Sequence, residues 1–516
     1  MSAKKTVFLR SSLLALSALL PVAALLPAGP LLAQDESLPM PPVFLKAMEP
    51  MVERPAASDR VVLTRHEGTF GGRKLGYDAI VTETPVANAK GQTAAVVVTY
   101  AYVARNAAHA KHTGARAKRP VLFFFNGGPG ASSSPLHLNA FGPRRIVGKG
   151  DAARLDDNPH SLLDVADLVF IDPPGTGASM PVKGADATSL FSVSGDAAAV
   201  ADVVQRWRRA NGRTDAPFAI VGESYGTARA LAMLDAESKA KLPLPNGVAL
   251  FSLSLGDNDG PVISDVSLLP TLAAVAWYHQ AVDRKGKSVA EHFAEARAFA
   301  ENDYARALIA GASLPEADRA KIAARISELI GIPAATLEKD GLQLDRQSFM
   351  LGLLSAKGLR TGQLDGRATR AIAESNMHPP FDDPSMTLGG ETGHLIADYI
   401  GKDLGYPLPS AYRTLNLGIN FKWDWGRGEV YRTVRFAPFL ARAMADKPDM
   451  KLMTVGGYYD ITTPVAAGQF ALDHAGIGPD RRTSKTYAAG HSVFEDEGEL
   501  TRFAADMRAW AGTLGR

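Results

Sequence analysis

The 516-residue sequence predicts an α/β protein: a mostly parallel central sheet flanked by helices, interrupted by a largely helical insertion. Two observations predict it. Short apolar runs recur along the chain and each leads into a Gly-rich turn: Val121–Phe125, Asp167–Asp172, Phe218–Val221, Val248–Leu255 and Lys451–Val455. Unbroken apolar runs of that length mark strands buried on both faces, which is how parallel sheets read. Helical stretches then fill the gaps, at Gly195–Ala210, Thr227–Leu242 and Val465–Ala475. Strand, turn and helix in alternation place helices on both faces and chemistry at the carboxyl ends of the strands.

Taken in order, residues 1–33 have the pattern of a secretory signal peptide. Lys4, Lys5 and Arg10 precede the apolar run Leu13–Leu26, and Pro27, Gly29 and Pro30 end it before Ala33. The run is shorter than the about 20 apolar residues of a spanning helix, so the expectation is cleavage with no stable membrane anchor left behind. The whole-chain net charge is +2, and the leader carries three of the positive side chains and no negative one, so the remainder is near −1. That balance lacks the basic stripe of a nucleic-acid-binding protein. With no Cys in the chain, disulfides, thiolate metal sites and a Cys nucleophile are excluded. An exported domain of this size does not need disulfides to bury a core, which suits a bacterial periplasm or exterior.

Residues 34–60 are Pro-rich and without period, an extended lead-in. Residues 61–265 form the first part of the core. They begin with β-branched and aromatic runs at Val61–Leu63, Thr69–Phe70, Leu75–Thr82 and Ala95–Val103, separated by turns at Gly71-Gly72 and Ala89–Gln92. A basic, polar loop is expected at 104–119. Residues 266–440 break the rhythm. Val289–Ile309 and Glu316–Ile330 read as amphipathic helices and no strong strand run appears, so this stretch is expected to form a helical cap. Residues 441–516 return to the core.

Gly222-Glu223-Ser224-Tyr225-Gly226 fits the G-x-S-x-G nucleophile elbow, in which a tight strand-to-helix turn lifts a Ser above an α/β-hydrolase sheet. A Ser hydroxyl needs a base to take its proton and a third group to orient that base. In that fold the chain order is Ser, then acid, then His. Asp460, after the Lys451–Val455 strand, and His491, after the strand-like run Lys485–Ala488, occupy those places. Asp473-His474 is a competing pair, but it lies within a helical run and has no strand leading into it. An oxyanion hole needs backbone N–H groups aimed at the developing charge. Tyr225, directly after the Ser, supplies one, and the Gly-rich turn Asn126–Gly130 is placed to supply the other. The scattered His residues offer no H-E-x-x-H or carboxylate cluster, so no metal and no cofactor is expected.

Several segments together resemble the serine carboxypeptidase family. Asn126–Ser133 resembles its N-G-G-P-G-C-S-S signature, and Phe141-Gly142-Pro143 follows at the family's spacing. Asn158–Ser161 and Ala166–Ser179 resemble its N-P-x-S-W and D-Q-P-x-G-x-G-x-S segments. Gly222–Tyr225 matches G-E-S-Y, Gly457–Asp460 is similar to Y-S-G-D-x-D, and Gly490-His491 to G-A-G-H. The resemblance implies Ser224 as nucleophile, Asp460 as orienting acid and His491 as base, with the N–H groups of Gly128 and Tyr225 as the oxyanion hole. It also implies that Asn126, Gly127 and Glu223 bind a terminal carboxylate. Ala140 stands where the family has a second Glu, which would share a proton with Glu223. Glu223 is therefore expected to ionise more readily than in the family. Ala131 replaces the signature Cys, and Ser492-Val493-Phe494 replaces M-V-P.

The implied activity is a secreted serine-type carboxypeptidase-like peptidase, periplasmic or extracellular, with a peptide as substrate. The alternative on the same residues is an esterase or acyltransferase acting on a small ester. A non-catalytic binding protein is the third reading, and the presence of Ser224, Asp460 and His491 speaks against it. Trp423-Asp424-Trp425 and Trp277-Tyr278 are the aromatic clusters of the insertion, read as core packing or as a pocket wall.

Overall fold

The computed structural model describes residues 47–105, 118–255, 260–374, 383–386, 392–426 and 435–515. The expected signal peptide at 1–33, the lead-in before residue 47, most of the expected basic loop at 104–119 and the expected turn at Gly256-Asp257 lie outside these residues.

Three long strands come first: β1 (Val61–Phe70), β2 (Arg73–Ala87) and β3 (Thr93–Arg105). β1 and β2 form an antiparallel hairpin in register from Val61 opposite Thr82 to Phe70 opposite Arg73. Its turn is the expected Gly71-Gly72, with φ of 54° and 75°, a backbone that costs glycine little. The sequence split β1 into two short runs. The strand is continuous because it is an edge, alternating exposed and half-buried residues, so Thr64–Gly68 need not be apolar to stay in the ladder.

The remaining strands are β4 (Val121–Phe125), β5 (Arg144–Val147), β6 (Arg154–Asp157), β7 (Asp167–Ile171), β8 (Met180–Pro181), β9 (Phe218–Glu223), β10 (Gly247–Phe251), β11 (Leu359–Thr361), β12 (Thr369–Ala371), β13 (Lys451–Gly457) and β14 (Thr483–Tyr487). The main sheet runs β1-β2-β3-β7-β4-β9-β10-β13-β14, with β8 paired to β3. From β7 to β14 every neighbour is parallel. The antiparallel β1–β3 unit joins at β7. This order, with the helices on both faces, is the α/β-hydrolase fold.

The parallel strands are buried on both sides, and alternate residues feed different cores. Phe123, Phe125, Ile220, Val248 and Leu250 face one core, and Leu122, Phe124, Val221, Ala249 and Phe251 face the other. The first core is closed by α1 (Val193–Ala210) and α2 (Tyr225–Lys239). Between β10 and β13 lie α3 (Pro261–Tyr278), α4 (Val289–Phe299) and α5 (Glu316–Ile330), which enclose a third cluster with Tyr459 and Ile461 of the turn after β13. The expected long helix at Val289–Ile309 is α4 followed by a π-helical stretch, Ala300–Tyr304, and a further short helix, Ala305–Ala310. The stretch with no strong strand run in its sequence holds the small antiparallel pair β11-β12, whose three-residue strands carry no apolar run to announce them. The chain ends on α6 (Ala437–Asp446), α7 (Val465–His474) and α8 (Glu497–Ala511).

Candidate active site

Ser224 is the single residue between β9 and α2. Its φ of 58° and ψ of −131° are unfavourable for a residue with a β-carbon, at a cost of roughly 1–3 kcal/mol. Crowding enforces the turn and demands glycine on either side. A β-carbon on Gly222 would sit 2.3 Å from the Gly226 carbonyl oxygen, and one on Gly226 would sit 2.9 Å from that of Phe125. The Ser224 N–H donates to the Phe251 carbonyl at 2.9 Å, and its own carbonyl accepts from Thr227 N–H and Oγ1 at 2.8 and 2.7 Å. The side chain is left part-exposed at the carboxyl end of the sheet.

Asp460 and His491 meet at the same end. Asp460 is buried, and its Oδ2 lies 2.8 Å from His491 Nδ1. Its Oδ1 accepts from the N–H groups of Thr462 and Thr463 at 2.9 and 3.0 Å, and Thr463 Oγ1 also donates to Oδ2. The carboxylate is thus fixed in one orientation by the turn that follows it. Burial disfavours the His491 imidazolium, but the Asp460 carboxylate, with Glu223 and Glu495 beyond it, outweighs burial and raises the pKa to about 9. The Ser224 and His491 segments are tied directly. Ser492 Oγ donates to Glu223 Oε1 at 2.9 Å, joining the residue after the His to the residue before the Ser. At the end of β10, Phe251 accepts from Ser224 N–H while Ser252 Oγ donates to the His491 carbonyl at 2.5 Å. Ser252 ends that strand at φ 51°, which is why the apolar run to Leu255 stops being a strand at Phe251.

The competing pair lies elsewhere. Asp473 bridges Arg482 at 2.8 Å, and His474 stacks on Phe470 at the end of α7.

The Asn126–Gly130 turn leaves β4 and lies against the elbow. A β-carbon on Gly127 would fall 2.4 Å from the Tyr225 nitrogen, so only glycine allows this approach. Gly128 has φ 98° and the Gly128–Pro129 peptide is cis. Tyr225 is the first residue of α2, so its N–H has no acceptor one turn back along the helix. The insertion braces this turn from outside. The Gly130 carbonyl accepts from Asn416 N–H at 2.8 Å, Ser132 N–H donates to the Thr414 carbonyl at 2.9 Å, and Asn420 Nδ2 donates to the Pro129 carbonyl at 3.0 Å. A second stretch of the insertion clamps the loops that carry Asp460 and His491. Leu364 accepts from His491 N–H at 2.7 Å, Gln363 from Ile461 N–H at 3.0 Å, and Tyr459 from Gly366 N–H at 2.9 Å. Trp423 and Trp425 pack edge-on against Tyr225, which makes that cluster part of the packing behind the elbow.

Against known proteins, the serine carboxypeptidase family model matches residues 105–318, a stretch that contains the Gly-rich turn and the elbow. Over this segment the chain is similar to the serine carboxypeptidases. A curated relative, the pheromone-processing carboxypeptidase of Yarrowia lipolytica, is 36% identical over 110 residues, which is 21% of this chain and 17% of the relative. Solved structures that align include a peroxisomal α/β-hydrolase of Saccharomyces cerevisiae (11% identical, TM-score 0.37, covering 88% of this chain and 89% of that one). A thermostable carboxyl esterase of Bacillus coagulans aligns at 11% identity and TM-score 0.36, covering 84% of this chain and 98% of that one. The match to the family ends before Asp460 and His491, so their pairing rests on geometry.

The family's carboxylate-binding positions are arranged as follows. Asn126 is buried and its amide is spent on the protein: Nδ2 donates to Glu223 Oε2 and Oδ1 accepts from Leu136 N–H. Ala140 is fully buried in an apolar cluster with Leu136, Phe141 and Phe124. Burial raises the pKa of Glu223 to about 7, and Asp460 and Glu495 add to that rise against His491 and the Ser492 hydroxyl. Thr463 and Ser252 were not singled out from sequence, and Ser492 only as part of the departure from M-V-P. Asp460 followed by Thr462-Thr463 does carry the signature of an Asx turn, the one available signal.

The pair of shifts sets a pH expectation. Acting as the base, His491 must be neutral to accept a proton, so kcat/KM should climb from neutral pH through a midpoint near pH 9 and level off above it. Glu223 raises that value when charged, so Glu223→Gln should move the rising limb to lower pH. A pH–rate profile of both proteins on a blocked substrate checks this. Activity confined below about pH 5, the range of ordinary carboxyls, is the contrary outcome.

Proposed function

We propose that the chain is an exported, periplasmic or extracellular serine-type carboxypeptidase-like peptidase. It cleaves peptide bonds near C-termini through an acyl-enzyme on Ser224, Asp460 and His491. The observation that carries the reading is the 2.8 Å contact of Asp460 Oδ2 with His491 Nδ1, at the sheet end that also presents the strained Ser224. In the proposed reaction Ser224 Oγ attacks the scissile carbonyl carbon as His491 Nε2 takes its proton. The resulting oxyanion accepts from the N–H groups of Gly128 and Tyr225. His491 then returns the proton to the leaving amine, and water repeats the sequence to release the acid. Asn126, Gly127 and Glu223 form the wall nearest the leaving group.

A second reading, an esterase or acyltransferase on the same residues, is favoured by one feature. Ala140 offers no second carboxyl, and both oxygens of Glu223 are already engaged, by Asn126 and Ser492. Mass spectrometry of a peptide mixture, incubated with the protein with and without a fluorophosphonate, separates the two. Stepwise loss of C-terminal residues, blocked by the label, is the expected result. Labelling of Ser224 with intact peptides selects the esterase reading, and folded protein that takes no label refutes both.

A further inference from the structure

Arg229 is among the largest fully buried side chains of the protein, at 1% exposure, yet it contacts neither Ser224, Asp460 nor His491 in any hydrogen bond. It lies on α2 one turn beyond the elbow and points back under the Gly-rich turn. Its Nε donates to Asp196 Oδ2 at 2.6 Å, and its Nη1 donates to the carbonyl oxygen of Asn126 at 2.5 Å. The guanidinium stands 5.1 Å from the Tyr225 ring centroid and 5.4 Å from that of Phe125. Asp196 is itself 1% exposed, in the first turn of α1, where the helix N-terminus favours a carboxylate.

The placement is specific. The Asn126 carbonyl belongs to the peptide that leads into Gly127 and Gly128, the backbone that meets Tyr225. The close approach of α2 is eased by Gly226, where a β-carbon would fall 3.1 Å from that same oxygen and 2.9 Å from that of Phe125. A charged donor on a dry carbonyl fixes a peptide plane more firmly than a neutral one. We propose that Arg229 is a positioning residue for the oxyanion hole: gripping the Asn126 carbonyl, with Asp196 holding the guanidinium in place, it sets the direction of the Gly128 N–H relative to that of Tyr225. This rests on the serine hydrolase reading of Ser224.

A purely structural ion pair and a positioning residue differ in what a paired replacement restores. Arg229→Met leaves the buried Asp196 without its cationic partner and should lower Tm sharply. Asp196→Leu/Arg229→Met removes both charges and should recover most of that Tm. A positioning role requires that the double variant stay slow, with kcat reduced about 10- to 100-fold, the scale of a misdirected oxyanion donor, and KM within about twofold. Arg229→Lys keeps the charge but loses the fork geometry. It should fold and show the same kcat loss, which keeps the test decisive if the double variant does not fold. The readouts are p-nitrophenyl ester turnover, fluorophosphonate labelling rate and thermal melting, with the wild-type protein alongside. Full wild-type kcat in the double variant or in Arg229→Lys overturns the proposal. A wild-type protein inert to both ester and fluorophosphonate instead overturns the hydrolase reading itself.

Discussion

Ser224→Ala is expected to lower kcat by about 10⁶-fold, the loss that follows removal of an activated Ser nucleophile, and to abolish fluorophosphonate labelling. The fold should survive the change. Ser224 holds its place through backbone bonds, from its N–H to Phe251 and from Thr227 to its carbonyl, and no side-chain hydrogen bond caps α2 from this position. Ala suffers the same positive φ as Ser, so Tm should move little. Ser224→Gly separates the two properties: it should be equally inactive but more stable by about 1 kcal/mol, because glycine relieves the strain of φ 58°. Steady-state kinetics and thermal melts of the three proteins test this. Retention of more than one hundredth of wild-type kcat in Ser224→Ala would falsify the assignment of the nucleophile.

What could be read in the sequence follows from where apolar side chains must go. β4 is Val-Leu-Phe-Phe-Phe because both its faces are covered, so it stands out as an unbroken run. β1 is legible only in part, since an edge strand with one wet side needs no such run. Ser224 was legible because its turn constrains its immediate neighbours, Gly222 and Gly226, and those constraints are local. The residues that were not legible act across the fold. Ser252 reaches His491 over 239 positions, and Arg229 reaches Asn126 over 103. An Arg in a helix after a Gly-rich turn looks like a solvated face until the packing shows it buried. The two clamps from the insertion, at 363–366 and 414–420, are invisible for the same reason. They act largely through backbone groups, which every sequence possesses.

Asp460→Asn should cost about 10⁴-fold in kcat while preserving the fold, and the reason lies in its four hydrogen bonds. Oδ1 accepts from the N–H groups of Thr462 and Thr463, which an amide oxygen does equally well. That fixes the new amide nitrogen at the Oδ2 position, facing Thr463 Oγ1 and His491 Nδ1. The Thr hydroxyl can rotate to accept, but the imidazole has to accept at Nδ1 and so carries its proton on Nε2. A ring in that tautomer cannot take a proton from Ser224, which is the origin of the expected loss. A second consequence distinguishes this from simple disorder. The Asp460 charge raises the His491 pKa against the effect of burial, so Asn should bring that pKa down and move the limb of the residual pH–rate profile toward acid. Proton NMR of the imidazole in both proteins reads the pKa directly. A loss of less than tenfold, or a His491 pKa that stays near 9, means that some group other than Asp460 orients the base.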